Sequence, residues 1–364
     1  MQLLHKLECN DMAEWVKREY TKGEIDRLGT LAVPWWTGRV HPNNFPELAD
    51  AYTAIQNWRT SHAMPLLTFR MGLSKRAKRI EPNPVIAQRL KRFASVMNKL
   101  AREPNMKLSQ MQDLGGCRAI MSTTEAVQDL YDLYRGGEAD LFEHEGGMKY
   151  RDYIQNPKDD GYRGIHVVGR YRARVATNEP WNGHRIEIQL RSQLQHAFAT
   201  TVETVTTFTR EPLKFGAGPL EWRRFFSLVG SAFAARENSP LVQGTPTDQN
   251  ELQRELRELV KALKVRPRLR GWTGALKQFP KHNALDANWL LLVLDVSGNT
   301  IKVIGYSDRR KAAEAVAEVE KSQPVTGVDA VLVWVNSIRK LRKAYPNYYA
   351  DTTAFLEALT IALK

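Results

Sequence analysis

At 364 residues, with 43% hydrophobic and 26% charged side chains, the chain has the balance of a globular protein and room for two domains of roughly 150 residues each. No apolar run approaches the ~18 residues a membrane-spanning helix needs, and two distant cysteines, Cys9 and Cys117, exclude a disulfide framework or a cysteine-built zinc site. The formal charge of +13, with 19 basic against 12 acidic residues beyond position 250 and 34 against 28 before it, suits a polyanionic partner for either part.

The start, Met1 to Glu8, lacks the apolar core and cleavage site of a signal peptide, so a cytoplasmic protein is expected. Helix-like spacing covers residues 11–31, and a second helix is predicted from Asn43 to His62 after the breakers Pro34, Gly38 and Pro42. From Pro84, the recurrence of Ile86, Leu90, Phe93, Val96 or Met97 and Leu100 predicts an amphipathic helix with a cationic outer face. Arg118–Met121 reads as a buried strand and Thr124–Tyr134 as a helix. Strands Ile165–Arg172 and Arg185–Leu190 follow, then a long helix from about Ser192 to Phe208. The alternation of helices and strands gives an α/β class.

Glu237 to Asn250 is rich in polar, Pro and Gly residues, as linkers are, and divides the chain into residues 1–240 and 250–364. Beyond it come a helix over Gln249–Leu263, the basic run Arg266–Arg270, and strands Trp289–Val296 and Thr300–Tyr306 joined by Ser297-Gly298-Asn299. Helix Arg309–Lys321, strand Ala330–Val335 and a terminal helix Asp351–Lys364, capped by Asp351-Thr352-Thr353, complete a small α+β domain.

Three clusters carry the candidate chemistry. In the first, Lys91, Ser95 and Lys99 stand four residues apart beside Arg89 and Arg92, so a polyphosphate could lie along one helix face; a solvated basic face has the same pattern. In the second, Asp113 precedes a Gly-Gly pair and a strand, while Glu187 alternates with Gln189 and Arg191 on another. Two such carboxylates could hold Mg²⁺ with substrate oxygens completing the shell, or could be ordinary surface charges. The third is the Pro- and Gly-marked loop from Tyr150 to His166. There Tyr162 could stack on a base and Lys158 and Arg163 meet phosphates, although a hairpin with a surface tyrosine reads the same way.

In order and spacing these clusters resemble the RelA/SpoT synthetase domain, which has a nucleotidyltransferase-like fold. Arg89-Leu-Lys91-Arg-Phe-Ala-Ser95-Val-Met-Asn-Lys99 resembles its R-x-K-x-x-x-S-I-x-x-K signature, and Asp113-Leu-Gly-Gly-Cys-Arg118 its D-x-x-G-x-R segment. Asp152-Tyr-Ile, Pro157-Lys158 and Gly161-Tyr162-Arg163-Gly164-Ile165-His166 resemble its acceptor loop, and Glu187-Ile-Gln-Leu-Arg191 with Gln195-His196 its E-I-Q-I-R and Q-H elements. The resemblance implies transfer of the β,γ-pyrophosphate of ATP to a ribose 3′-hydroxyl. ATP would meet Arg89, Lys91, Ser95, Lys99 and Arg118, and Asp113 and Glu187 would hold Mg²⁺. The acceptor would meet Lys158, Tyr162, Arg163, His166, Gln189, Arg191 and His196, with Tyr162 stacked on its base. Gly164 stands where the family has serine and Asp160 where it has asparagine. None of the eight histidines is followed by aspartate, so the hydrolase half of the long enzymes is missing.

Gln193–Val205 and the Tyr345-Pro-Asn-Tyr348 end further resemble toxic small alarmone synthetases, in particular the fused toxin–antitoxin type called CapRel. That resemblance implies a monomeric, membrane-free toxin that pyrophosphorylates the tRNA 3′-CCA end. A metal-free, zinc-finger-like C-terminal domain would restrain it through Tyr345 and Tyr348 until a phage protein binds. Lys75, Arg76, Lys78 and Arg79 could form a tRNA backbone patch or an ordinary solvated charge run. The alternative acceptor is GDP, GTP or an adenine nucleotide.

Overall fold

The computed structural model describes residues 15–41, 47–136, 148–209, 213, 218–275, 289–295, 300–326, 328–335 and 352–364. The helix expected over residues 11–31 starts later, as α1 (Lys22–Trp36), because Thr21 and Glu24 close a capping box: the Glu24 carboxylate accepts from the Thr21 N–H at 2.8 Å and the Thr21 hydroxyl from the Glu24 N–H at 3.3 Å. Helices α2 (Leu48–Thr60) and α3 (Ala63–Ile80) follow.

The helix expected from Pro84 is two elements. Val85–Leu90 is strand β1, and α4 begins only at Phe93 and runs to Arg102. Ile86 and Leu90 stand four apart, a separation that places two residues on one face of a strand as readily as of a helix. The run Val85-Ile86-Ala87-Gln88 is buried between two neighbouring strands, as a central strand is. Lys91 therefore leaves the end of a strand and does not share a helix face with Ser95 and Lys99, which sit one turn apart on α4.

Strand β2 (Gly115–Met121) and helix α5 (Thr124–Arg135) lead to β3 (Lys149–Asp152), β4 (Ile165–Arg170), β5 (Arg185–Ser192) and α6 (Gln193–Thr209). Helix α7 (Leu220–Arg236) precedes an irregular stretch, then come α8 (Gln249–Ala262), α9 (Val265–Ala275), β6 (Trp289–Asp295), β7 (Thr300–Tyr306), α10 (Arg309–Thr326), β8 (Val328–Val335) and α11 (Thr353–Ala362). The terminal helix is shorter than expected, and its N-cap Thr352 makes no side-chain capping bond.

The eight strands form one mixed sheet in the order β3-β4-β5-β2-β1-β8-β6-β7. β2 and β5 are parallel and the other neighbours antiparallel. Helices flank it, so the class is α/β. The strands beyond the polar stretch at 237–250 thus continue the sheet of the first part, through pairing of β8 with β1.

One core joins α3 and α5 to one face of the sheet through Phe69, Leu73, Val127, Leu130, Ile186 and Ile188. A second gathers α1, α2 and α4. A third surrounds α7 and includes Phe225, Phe226 and Phe233 with Leu252 and Leu256 of α8 and Phe355 and Leu359 of α11. Among the described residues no helix is long and apolar enough to cross a membrane.

Candidate active site

Alternation along the strands places Gly116 and Arg118 of β2, Glu187, Gln189 and Arg191 of β5 and His166 of β4 on the face that α3 and α5 leave open. Arg89 of β1 and Glu187 stand on either side of Gly116 in the register. A Cβ at Gly116 would meet only the Glu187 carbonyl, at 4.0 Å, so the floor between the two long side chains is clear. Arg89, Lys91, Asp113, Arg118, Glu187 and Gln189 line one cleft there.

Asp113 reaches the cleft from the turn before β2 and receives two ammonium groups, Lys91 Nζ at 2.5 Å and Lys99 Nζ at 3.2 Å. Burial would raise the pKa of this carboxyl, but Lys91 and Lys99 outweigh it and hold the group well below the usual carboxylate range. The cations expected on one helix face are thus gathered by the aspartate from a strand end and a helix. Ser95 is half-buried in the first turn of α4.

On the other side a polar chain runs through Glu187. His166 Nδ1 lies 3.0 Å from Glu187 Oε1, and His166 Nε2 lies 2.5 Å from the Tyr162 hydroxyl. Gln189 Nε2 donates to Glu187 at 2.8 Å, Arg191 donates to the Tyr162 oxygen at 2.9 Å, and Arg118 Nε donates to Gln189 at 3.3 Å. Burial opposes a charge on Glu187, yet His166 brings its pKa down to about 2. Burial likewise opposes protonation of His166, and Tyr162 and Glu187 raise it to about 9. At neutral pH the pair is an imidazolium beside a carboxylate. Lys158 Nζ lies over the rings of Tyr153 and Tyr162, 4.6 and 5.0 Å from their centroids.

Several expected residues lie elsewhere. Arg163 is buried away from the cleft, donating to Glu237 and to the Gly230 carbonyl of α7. His196 is buried in α6. Arg76 is buried too, with its guanidinium 5.1 Å from the Tyr134 ring centroid, which takes it out of the surface patch; Lys75, Lys78 and Arg79 remain exposed on α3, on the far side of the sheet. Tyr345 and Tyr348 lie outside the described residues.

The sequence reading missed what carries the Tyr162 loop. Glu237, placed in a linker by composition, accepts from Arg163 and Ser192 and, at 3.0 Å, from Gln195 Nε2. Gly161, at φ +84°, lies so close to α7 that a Cβ there would stand 2.3 Å from the Phe226 carbonyl, and one on Gly230 would stand 2.5 Å from the Gly161 Cα. The available signal was the small-residue run Gly230-Ser231-Ala232 in an apolar helix.

For a metal the cleft offers two carboxylates, Asp113 and Glu187, and, with burial, Asp113 works to raise the Glu187 pKa against His166. Among the described residues no group of three or more His, Cys, Asp or Glu is placed for a metal. Two carboxylates with the remaining positions left to substrate oxygens and water suit Mg²⁺, a hard ion that keeps part of its shell.

Residues 88–210 match the family described as the region found in RelA/SpoT proteins. The chain is 34% identical over 96 residues to the GTP pyrophosphokinase YwaC of Bacillus subtilis (strain 168), covering 24% of this chain and 42% of that protein. It is 28% identical over 123 residues to the GTP pyrophosphokinase YjbM of the same organism, covering 33% of this chain and 54% of that one. It thus spans about half the length of these curated relatives. Among solved structures, small alarmone synthetase 1 from Bacillus subtilis is 20% identical with a TM-score of 0.40, covering 49% of this chain and 88% of that one.

Proposed function

We propose that the RelA/SpoT region of this chain, from β1 to α6, is an ATP pyrophosphokinase. The observation that carries this reading is the convergence of four cations, Arg89, Lys91, Lys99 and Arg118, on two carboxylates, Asp113 and Glu187, in one cleft. Phosphoryl-type transfer needs positioning and charge neutralisation more than covalent catalysis, and this set supplies both. Arg89 and Arg118 hold the nucleotide, and Lys91 and Lys99 neutralise its phosphates. A ribose 3′-oxygen attacks the β-phosphorus, the bond from that phosphorus to the bridging oxygen of AMP breaks, and the hydroxyl proton passes to Glu187, which His166 keeps ionised. Asp113 and Glu187 would hold Mg²⁺, which would supply further positive charge to the phosphate oxygens. Tyr162, tied through His166 to Glu187, sets the acceptor base at a fixed distance from the base catalyst.

The acceptor we favour is the 3′-CCA end of tRNA, whose modification blocks translation. The net charge of +13 supports it, as does the open sheet face. The names of the curated relatives favour a second reading, a guanine nucleotide acceptor. Incubation with γ-labelled ATP and either bulk tRNA or GDP and GTP separates them: label on nucleotide and never on tRNA would sink the first.

We further propose that residues from about 250 onward restrain the enzyme until a phage protein, such as a capsid protein, binds them. The pairing of β8 with β1 supports such coupling, since Val333 stands opposite Arg89. Co-expression with a capsid protein should arrest growth only when both are present; arrest independent of the phage protein would count against the trigger.

A further inference from the structure

The cleft face of the sheet does not end at Glu187. One row further along, Arg185 of β5 and Arg170 of β4 stand directly opposite each other, beside the Glu187–Val168 pair. Alternation puts Arg185 on the side of Glu187, Gln189 and Arg191, and Arg170 on the side of His166. Arg170 is exposed and Arg185 half-buried, with the Arg185 guanidinium donating to the Gln110 carbonyl at 2.8 Å. Backbone pairing continues past the strand ends: the Tyr171 N–H donates to the His184 carbonyl and the Gly183 N–H to the Tyr171 carbonyl, both at 2.8 Å. Arg172 therefore extends the same alternation, and Arg172 and Arg174 are both exposed.

Like charges directly across a strand pair destabilise a sheet. The conflict registers in Arg185, whose pKa is lowered by burial and then by Arg170. A polyanion laid across the row relieves that repulsion, and planar guanidinium forks match phosphate oxygens two at a time. Arg185 is two residues from Glu187, roughly 7 Å along the strand, a step comparable to one nucleotide. The exposed side chains of the row, Arg170 and Arg172, are guanidinium groups, which suit a phosphate backbone.

We infer that Arg170, Arg172 and Arg185 form a track for the sugar–phosphate backbone of an RNA whose 3′ end reaches Glu187. This rests on the tRNA-end reading of the acceptor. It also moves the nucleic-acid surface from α3, where Lys75 and Lys78 lie behind the sheet, to the face that holds the cleft.

The test measures binding of the full-length protein to a labelled RNA hairpin with a single-stranded CCA end, across a salt series, beside transfer of label from γ-labelled ATP to the same RNA. In Arg170→Glu/Arg172→Glu the dissociation constant should rise at least about tenfold and the slope of log affinity on log salt should fall by about 2, one per lost contact. Arg185→Gln should lower the slope by about 1. Thermal unfolding and binding of a non-hydrolysable ATP analogue should match the wild type. Wild-type RNA binding with an unchanged slope in these variants, a slope that falls only in Lys75→Glu/Lys78→Glu, or no wild-type binding at low salt would each overturn the track. RNA binding that depends on the arginines without label transfer would keep the track and overturn the acceptor reading instead.

Discussion

Replacing Glu237 tests whether a buried ion pair outside the cleft holds the Tyr162 loop in place. The Glu237 carboxylate gathers Arg163, Ser192 and Gln195, and the side chains of Arg163 and Glu237 are only 3% and 10% exposed. In Glu237→Gln the acid becomes neutral. Burial lowers the Arg163 pKa only to about 10, so the guanidinium stays charged and loses its counter-charge in the interior. Removing one partner of such a pair costs about 3–5 kcal/mol, whereas replacing both by apolar side chains of similar volume is often close to neutral. Urea unfolding of the wild type, Glu237→Gln, Arg163→Met and the double variant should therefore show the double variant less destabilised than the two singles added together, by about 3 kcal/mol or more. Because Arg163 adjoins Tyr162, the KM for acceptor should rise while the KM for ATP holds. A Glu237→Gln protein within about 1 kcal/mol of the wild type, or a double variant as unstable as the two singles added together, would refute the pair as an anchor.

Five further outcomes are expected. Tyr162→Phe keeps the ring but loses the oxygen shared by His166 and Arg191, so kcat/KM should fall about tenfold or less. Tyr162→Ala should raise the acceptor KM by roughly 10- to 100-fold, since stacking on one base is worth about 1–3 kcal/mol; equal kinetics for the two variants would refute stacking. Gly161→Ala meets both a φ of +84° and the Phe226 carbonyl, and should destabilise the fold by more than about 1 kcal/mol in thermal unfolding. His184, buried between the Ser61 hydroxyl and the Trp181 carbonyl, has its pKa lowered to about 4 by burial. The folded state therefore resists a proton that the unfolded imidazole takes up near pH 6.5, so stability is present at neutral pH, falls by about 2 kcal/mol by pH 5 and stops falling from this source near pH 4. Urea midpoints across that range should steepen for the wild type and flatten for His184→Asn. Phe355→Ala, which empties a site packed by Phe225 and Phe233, should cost about 3–5 kcal/mol; a loss under 1 kcal/mol would mean that α11 is not part of that core.

The strands bearing the carboxylate and its neighbours were legible because β5 alternates apolar and polar residues, and the register with β2 and β4 then brings the motifs together without further instruction. β1 was not, since a buried central strand shows no alternation and its four-residue spacing imitates a helix. Arg163 shows a second limit. A cation in a loop rich in phosphate-binding residue types looks like a ligand, and its true partner, Glu237, lies 74 residues away in a polar stretch whose composition reads as solvent-exposed. Sequence spacing reports faces of one element, whereas the direction of a loop side chain is decided by a distant partner.

The same long-range dependence bears on how the C-terminal residues could restrain the enzyme. Among their several contacts with the first part, two differ in character. β8 pairs with β1 over Ala87, Gln88 and Arg89, a short contact at a side chain that lines the cleft. α11 contributes Phe355, Ala358 and Leu359 to the core that also buries Phe225 and Phe226 of α7, and Arg236 and Arg257 donate to its Ala358 and Leu363 carbonyls. Since α7 also supports Gly161 and, through the residue that follows it, Arg163, loss of α11 would loosen the Tyr162 loop as well as any restraint. Truncation near residue 250 then removes part of a core together with the proposed regulator, and loss of activity in such a protein says nothing against restraint. A switch confined to β8, with α8, α9 and α11 left in place, separates the two: it can alter the setting of Arg89 while the Tyr162 loop keeps its support.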